Sequence, residues 1–151
     1  METTTQYSTE ERIMAAVSHA AILLPYVGAI VPLGVWVTQR EKSDWVRFQA
    51  LQALVFQTML FVVLMLSSCL VIPILFASMG FAVENPDVMF STMMGSMFLP
   101  YGVLGLMILL ELVAGVLCML GKDVRIPFLG KRISKYLEEQ DTAAVEGGEN
   151  D

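Results

Sequence analysis

Charge is missing from three long parts of this chain, and no other feature constrains its fold as much. Residues 13–39, 48–83 and 88–110 contain no Asp, Glu, Lys or Arg, and residues 112–121 extend the third run past a single interruption at Glu111. A helix that crosses a bilayer needs about 20 mostly apolar residues at about 1.5 Å each. All three runs are long enough. A charge at the membrane centre costs roughly 2.5–3.5 kcal/mol on insertion scales, so such runs exclude it. A large soluble core is the competing explanation, but 151 residues leave too little polar chain to cover three such runs. The expected fold is all-α: a polytopic membrane protein with two firm spans and a proline-broken first segment, three to four membrane helices in all.

Composition agrees. The chain is 56% hydrophobic and 16% charged, against about 45–50% and about 25% for soluble domains. Disorder over the whole length is excluded, because disordered chains are poor in apolar residues. Two cysteines cannot make a disulfide framework. A net charge of −6 with no long basic stripe excludes nucleic acid as a partner. There is no nucleotide loop, HExxH, GxSxG or paired-carboxylate arrangement, so neither an enzyme nor a cofactor is expected.

The flank METTTQYSTEER is acidic and hydroxyl-rich. A secretory signal has a basic flank and a shorter apolar run, so the first segment is expected to be retained. Pro25, Gly28, Pro32 and Gly34 interrupt it. Proline removes an N–H donor and clashes with the preceding turn. Two forms satisfy this: one kinked span over 13–38, or a hairpin of two short helices near Glu10–Leu24 and Gly28–Thr38. The remaining organisation is a polar N-terminus (1–11), a helical membrane domain (12–121) with further spans near 54–76 and 99–121, a basic amphipathic segment (122–137) and a disordered acidic tail (138–151). Residues 43–53, with Trp45, Gln49 and Gln52, are expected to run in along the interface. Pro73 is expected to kink or end the second span. Glu84, Asn85-Pro86 and Asp87 mark a turn, followed by a short interfacial helix bearing Met89, Met93 and Met97. Thioethers can bind Cu(I), but without Cys or His beside them these are read as apolar filler.

The nine bases sort by side. Three lie at residues 40–47, five after residue 121, and none between the second and third spans. Two crossings separate the basic groups, so both face one side, and the positive-inside rule makes it the cytoplasm. Loop 39–47 and the C-terminus are then cytoplasmic and loop 81–98 external, in the cell membrane. The N-terminus is outside for a single first span and inside for a hairpin. Lys131, Arg132 and Lys135 lie opposite Leu129, Ile133, Tyr136 and Leu137, and with Arg47 they are candidate contacts to an anionic lipid surface. Lipid, a second copy or other membrane proteins are the expected partners.

Glu111 lies about 16 Å before Lys122, close to the midplane of a bilayer about 30 Å thick. An intramembrane carboxylate marks a functional site or a hydrogen bond to a neighbouring helix. It shares a face with Ala114, Gly115 and Cys118, small residues that let another helix come close. His19, the one histidine, is a candidate partner for Glu111, with backbone or Ser18 as the alternative. Cys69 and Cys118 read as small apolar residues near opposite faces.

Three pieces, ERIMAAVSHAA, PLGVWVTQREKSDWVRFQALQALVFQ and GKDVRIPFLG, resemble small prokaryotic membrane proteins with a domain of unknown function related to the Tic-twenty family of the chloroplast inner-envelope import channel. The residues that carry this resemblance are Ser18, His19, Val46, Arg47, Phe48, Gln49, Ala50, Gln52, Ala53, Arg125, Ile126 and Pro127, within about 10–130. It implies four helices with both ends on one side, and a part in protein translocation by analogy only. The functional expectation is a small scaffold or channel-like subunit of a membrane complex. The alternative is an ion or small-solute pathway through Glu111 and His19.

Overall fold

The computed structural model describes residues 7–24, 27–82, 86–127 and 129–148. Five α-helices follow in order: α1 (Thr9–Ala20), α2 (Ile30–Gln39), α3 (Asp44–Ala82), α4 (Pro86–Met119) and α5 (Leu129–Gly148), with a short 3-10 turn (Ala21–Leu23) after α1. The chain divides into two units, residues 1–57 with 111–151 and residues 58–110.

The first segment is two helices rather than one kinked span. Helix α1 starts at a capping box: the Glu11 N–H donates to Ser8 Oγ at 3.2 Å, and the Ser8 N–H donates to Glu11 Oε2 at 2.8 Å. This pairing satisfies two N–H groups that the first turn leaves open. The helix tightens into the 3-10 turn and ends at Leu24, whose backbone is extended. Pro25, expected to break the segment, lies outside the described residues. The chain then turns at Gly28. A Cβ there would lie 2.8 Å from the Leu24 carbonyl oxygen, and against that of Ala21, so only glycine fits. Pro32 is the third residue of α2, where its missing N–H has no intrahelical acceptor to lose. Helices α1 and α2 pack together.

Helix α3 is about 58 Å long and is capped by Ser43, whose Oγ accepts from the Val46 N–H at 3.4 Å. Its first part corrects the sequence reading. Residues 45–53 are buried throughout rather than lying along an interface, because other parts of the first unit cover them. Ala15, Trp45, Val46 and Cys118 form one apolar cluster, and Phe48, Leu51, Ile133 and Leu137 another. Pro73 does not end α3, which continues to Ala82. Pro86 opens α4, and that helix runs unbroken through Pro100 to Met119, so residues 86–98 are not a separate interfacial helix. Glu84, Asn85 and the Met89 side chain lie outside the described residues. The end of α4 closes with Gly121 at φ 74°: the Gly121 N–H donates to Cys118 O at 2.8 Å and the Lys122 N–H to Leu117 O at 3.0 Å, the paired bonds of a glycine-terminated helix.

Helix α5 buries Ile133 and Leu137 against α3, while Tyr136, expected on the same face, is exposed. It extends to Gly148, so the tail expected to be disordered after Leu137 is helical to that point. Asp44–Met79 and Phe90–Met119 are long and apolar enough to cross a membrane, and the 18-residue apolar window in each is only 6% and 22% buried. In the second unit Leu70, Phe76 and Phe98 are 70%, 71% and 83% exposed. A core helix of a soluble protein has this composition but hides it. These helices present it, as a helical membrane protein must.

Candidate functional site

Buried polar side chains gather in the first unit. Ser18, His19, Gln49, Gln52, Gln57 and Glu111 are all buried, the first five of them within the charge-free runs 13–39 and 48–83. They are joined rather than scattered. His19 Nδ1 is 2.8 Å from Glu111 Oε2, and His19 Nε2 is 3.3 Å from Gln49 Oε1. Gln49 Nε2 donates to Asp123 Oδ1 and to Val124 O, both at 3.1 Å. Gln52 Nε2 donates to Val124 O at 3.2 Å, and its Oε1 accepts from the Ile126 N–H at 3.1 Å. Gln57 Nε2 donates to Ser18 O at 3.0 Å, and Ser18 Oγ to Met14 O at 2.9 Å.

These contacts fix the proton positions. Gln49 has two acceptors on its amide nitrogen, so its oxygen must face His19. His19 Nε2 is therefore the N–H donor to that oxygen. One proton remains between Nδ1 and Glu111 Oε2, either on the ring as an imidazolium–carboxylate pair or on the acid as two neutral groups. The pair has no net charge in both states, which is what a buried site tolerates. Gly115 lets α1 come close enough for the bond: a Cβ there would lie 3.3 Å from Ala16 O and 3.4 Å from the His19 Cβ. Glu111 Oε1 and Gln57 Oε1 have no partner among the described residues.

The sequence-derived residues fall into two groups. His19 and Glu111 meet, with Gln49 as a third member. The other pieces converge on the same network: Val46, Ala50 and Ala53 are buried on α3, Arg125 lies over the Phe48 ring at 5.5 Å, and Ile126 bonds Gln52. Pro127 is exposed. Arg47 does not belong to a lipid surface. It is buried and donates to Asp141 at 2.9 Å, with Asp44 at 3.8 Å. Lys131, Arg132 and Lys135 are exposed, Lys135 beside Glu139 at 3.6 Å.

Sequence reasoning missed a second cluster, at the open end of the hairpin. Ser43 Oγ donates to Glu11 Oε1 at 2.6 Å, Arg12 Nε donates to Met119 O at 2.7 Å, and the Tyr7 and Trp45 rings stack at 4.0 Å. Ser8-x-x-Glu11 was a readable cap signal; the Arg12 contact to a helix end had none. The Ser43 hydroxyl, and then Ser8, hold the Glu11 carboxyl below its usual range, while burial pushes the Tyr7 phenol up. The cluster puts the start of α1, the start of α3 and the end of α4 at one end of the unit.

A family model for magnetosome magnetite crystal formation proteins, MamF/MmsF, matches residues 10–133. The chain belongs to this family. No curated protein and no solved structure matches it. The MamF/MmsF match covers α1 to α4 and the first residues of α5, and so takes in the whole polar network. It overturns the resemblance to the Tic-twenty family, and the analogy to protein translocation loses its basis. The pieces that carried that resemblance all lie in the first unit.

Proposed function

We propose that this MamF/MmsF chain is a non-enzymatic scaffold of the magnetosome membrane that takes part in forming the magnetite crystal. The family match over residues 10–133 carries the reading. The polar network, tied down at His19, Gln49 and Gln52, supports a scaffold rather than a conduit. His19 is fully buried and held on both ring nitrogens, and the Gln49 amide that follows it does not readily pass a proton on. By the positive-inside rule the basic end, residues 40–47 and the chain after Lys122, faces the cytoplasm. The start of α1 is assigned to the same side, a reading supported by the Glu11–Ser43 and Arg12–Met119 bonds. Such a scaffold acts with other membrane proteins or further copies of itself.

Deletion and complementation in a magnetite-forming cell test this directly. Loss of the chain should change crystal size or shape in electron micrographs, and the wild-type chain should restore it. Unchanged crystals would contradict the role. Cysteines at Ser8 and Ser134 should label from one side, and one at Ser91 from the other.

One observation favours a second reading, an ion or proton pathway: the buried Glu111 Oε1 has no partner among the described residues. Proteoliposome proton flux that disappears in Glu111→Gln would support it, and flux indifferent to that change would exclude it.

A further inference from the structure

His19 stands between two acceptors, and the number of its protons decides whether it serves both. On one side Nδ1 lies 2.8 Å from Glu111 Oε2, and on the other Nε2 lies 3.3 Å from Gln49 Oε1. With two protons between ring and acid, both contacts hold. Nε2–H donates to Gln49, and the second proton lies between Nδ1 and Oε2. With one proton fewer, the ring has a single N–H for two acceptors, and one contact must fail.

Geometry and charge decide which. The Glu111 contact is the shorter, and a hydrogen bond to a carboxylate is about twice as strong as one between neutral groups. The remaining proton therefore goes to Nδ1. Nε2 then turns a lone pair toward Gln49 Oε1, itself an acceptor. The amide regains a bond to the ring only by rotating half a turn, so that its own N–H group faces Nε2. That rotation breaks its bonds to Asp123 Oδ1 and Val124 O, both at 3.1 Å, and brings its oxygen against those two acceptors. No orientation of Gln49 satisfies the deprotonated ring and the linker together. Gln52 keeps Val124 O and the Ile126 N–H in either state, so the change falls on the stretch at residues 122–124.

We infer that the His19–Glu111 pair is a proton-operated switch for the linker between α4 and α5, with the Gln49 amide as its moving part. Glu111 and the Cys118 thiol face His19 from α4, and the uncharged Gln49 faces it from α3. Helix α2, packed on α1, has no titratable side chain. Asp123 lies one bond further on, behind Gln49, and is paired with Arg125 at 2.9 Å. The switch requires no proton to cross the membrane, so it is independent of the pathway reading above.

The chain has one histidine, so isotope-labelled histidine gives an unambiguous magnetic-resonance signal from each ring nitrogen. The full chain with Cys69→Ala and Cys118→Ala, which also removes the neighbouring thiol, is titrated in lipid nanodiscs. As the pH rises, Nε2 should lose its proton while Nδ1 keeps one. In the same background, a spin label at Lys122→Cys should tumble several-fold faster over the same pH interval. Glu111→Gln removes the carboxylate that claims the last proton, and its amide donates to Nδ1 instead. In that variant Nε2 should stay protonated and the label should not respond. Gln49→Leu cuts the link but keeps the pair. Its ring should still switch, while its label, mobile throughout, should stay unchanged. A ring that keeps its Nε2 proton at every pH at which the chain stays folded overturns the proposal. A ring that switches without a change at the label overturns it too, as does a label that still responds in Gln49→Leu.

Discussion

Helix α3 changes surroundings part-way along. Gln49 and Gln52 are fully buried, and every polar atom of both amides has a partner. Further along the same helix, Met59, Phe61, Leu66, Leu70 and Phe76 are exposed. Helix α4 repeats the pattern in the opposite order. Tyr101, Leu106 and Leu109 are exposed, and then Glu111, Ala114 and Cys118 are buried. A protein in water puts its apolar side chains inside, yet here the most polar side chains of the helices are inside and the apolar ones outside. The first unit specifies its structure through directional bonds between side chains. The second relies on an apolar medium, which accepts any side chain of the right polarity. Substitutions should therefore be costly by geometry in the first unit and by polarity in the second.

The largest effect should come from separating the buried pair. His19→Ala leaves the Glu111 carboxyl buried without its partner, and breaking a buried pair costs about 3–5 kcal/mol. Unfolding of the detergent-solubilised variant should begin at much lower denaturant or temperature. A change within error would show that the pair is not closed. Next, Leu70→Lys in the second unit should cost roughly 2.5–3.5 kcal/mol in a membrane-insertion assay. Leu70→Val should cost almost nothing, since no geometry is required there. An equal penalty for both would mean that this surface packs against protein. A smaller loss, about 1–3 kcal/mol, is expected for Gln52→Ala, which strands the Ile126 N–H and leaves the Val124 carbonyl to Gln49 alone. Hydrogen exchange at residues 123–127 should speed up in that variant and remain slow in the wild type.

The smallest effect is an acid transition at Glu11. Its folded value lies below the ordinary 4.5 because of the Ser43 hydroxyl first and then Ser8. Its stabilising contribution is therefore complete above about pH 4.5, and is lost as the pH falls through the lower, folded value. Trp45 fluorescence, followed in a Trp36→Phe background, should report loosening of the Tyr7 stack only in that acid window. Glu11→Gln should abolish the transition. A transition centred at or above the ordinary value would contradict the assignment.

Much of this was legible in the residues. Uncharged runs located the spans, because lipid excludes charge whatever the tertiary structure. Glu111 and His19 stood out as isolated polar groups at matching depth, and Gly115 with Ala114 marked a close helix approach. Periodicity could not show which face of residues 45–53 would be covered, so its glutamines read as an interfacial face when they are the core. The same blindness placed Arg47 at the lipid surface, since its partner Asp141 lies 94 residues away. The tail was misread by composition: its acids suggested disorder, but Glu, Gln and Ala are good helix formers. Backbone acceptors such as Val124 O have no signature in sequence at all.

The central claim is that His19 and Glu111 form one coupled unit sharing a proton. A double-mutant cycle with His19→Leu and Glu111→Leu, read by equilibrium unfolding in detergent, tests it most directly. Each single change should cost about 3–5 kcal/mol, while the double change, which leaves neither partner of the ion pair behind and strands only the Gln49 Oε1 that His19 had paired, should cost far less than the sum. Additive losses would contradict the claim.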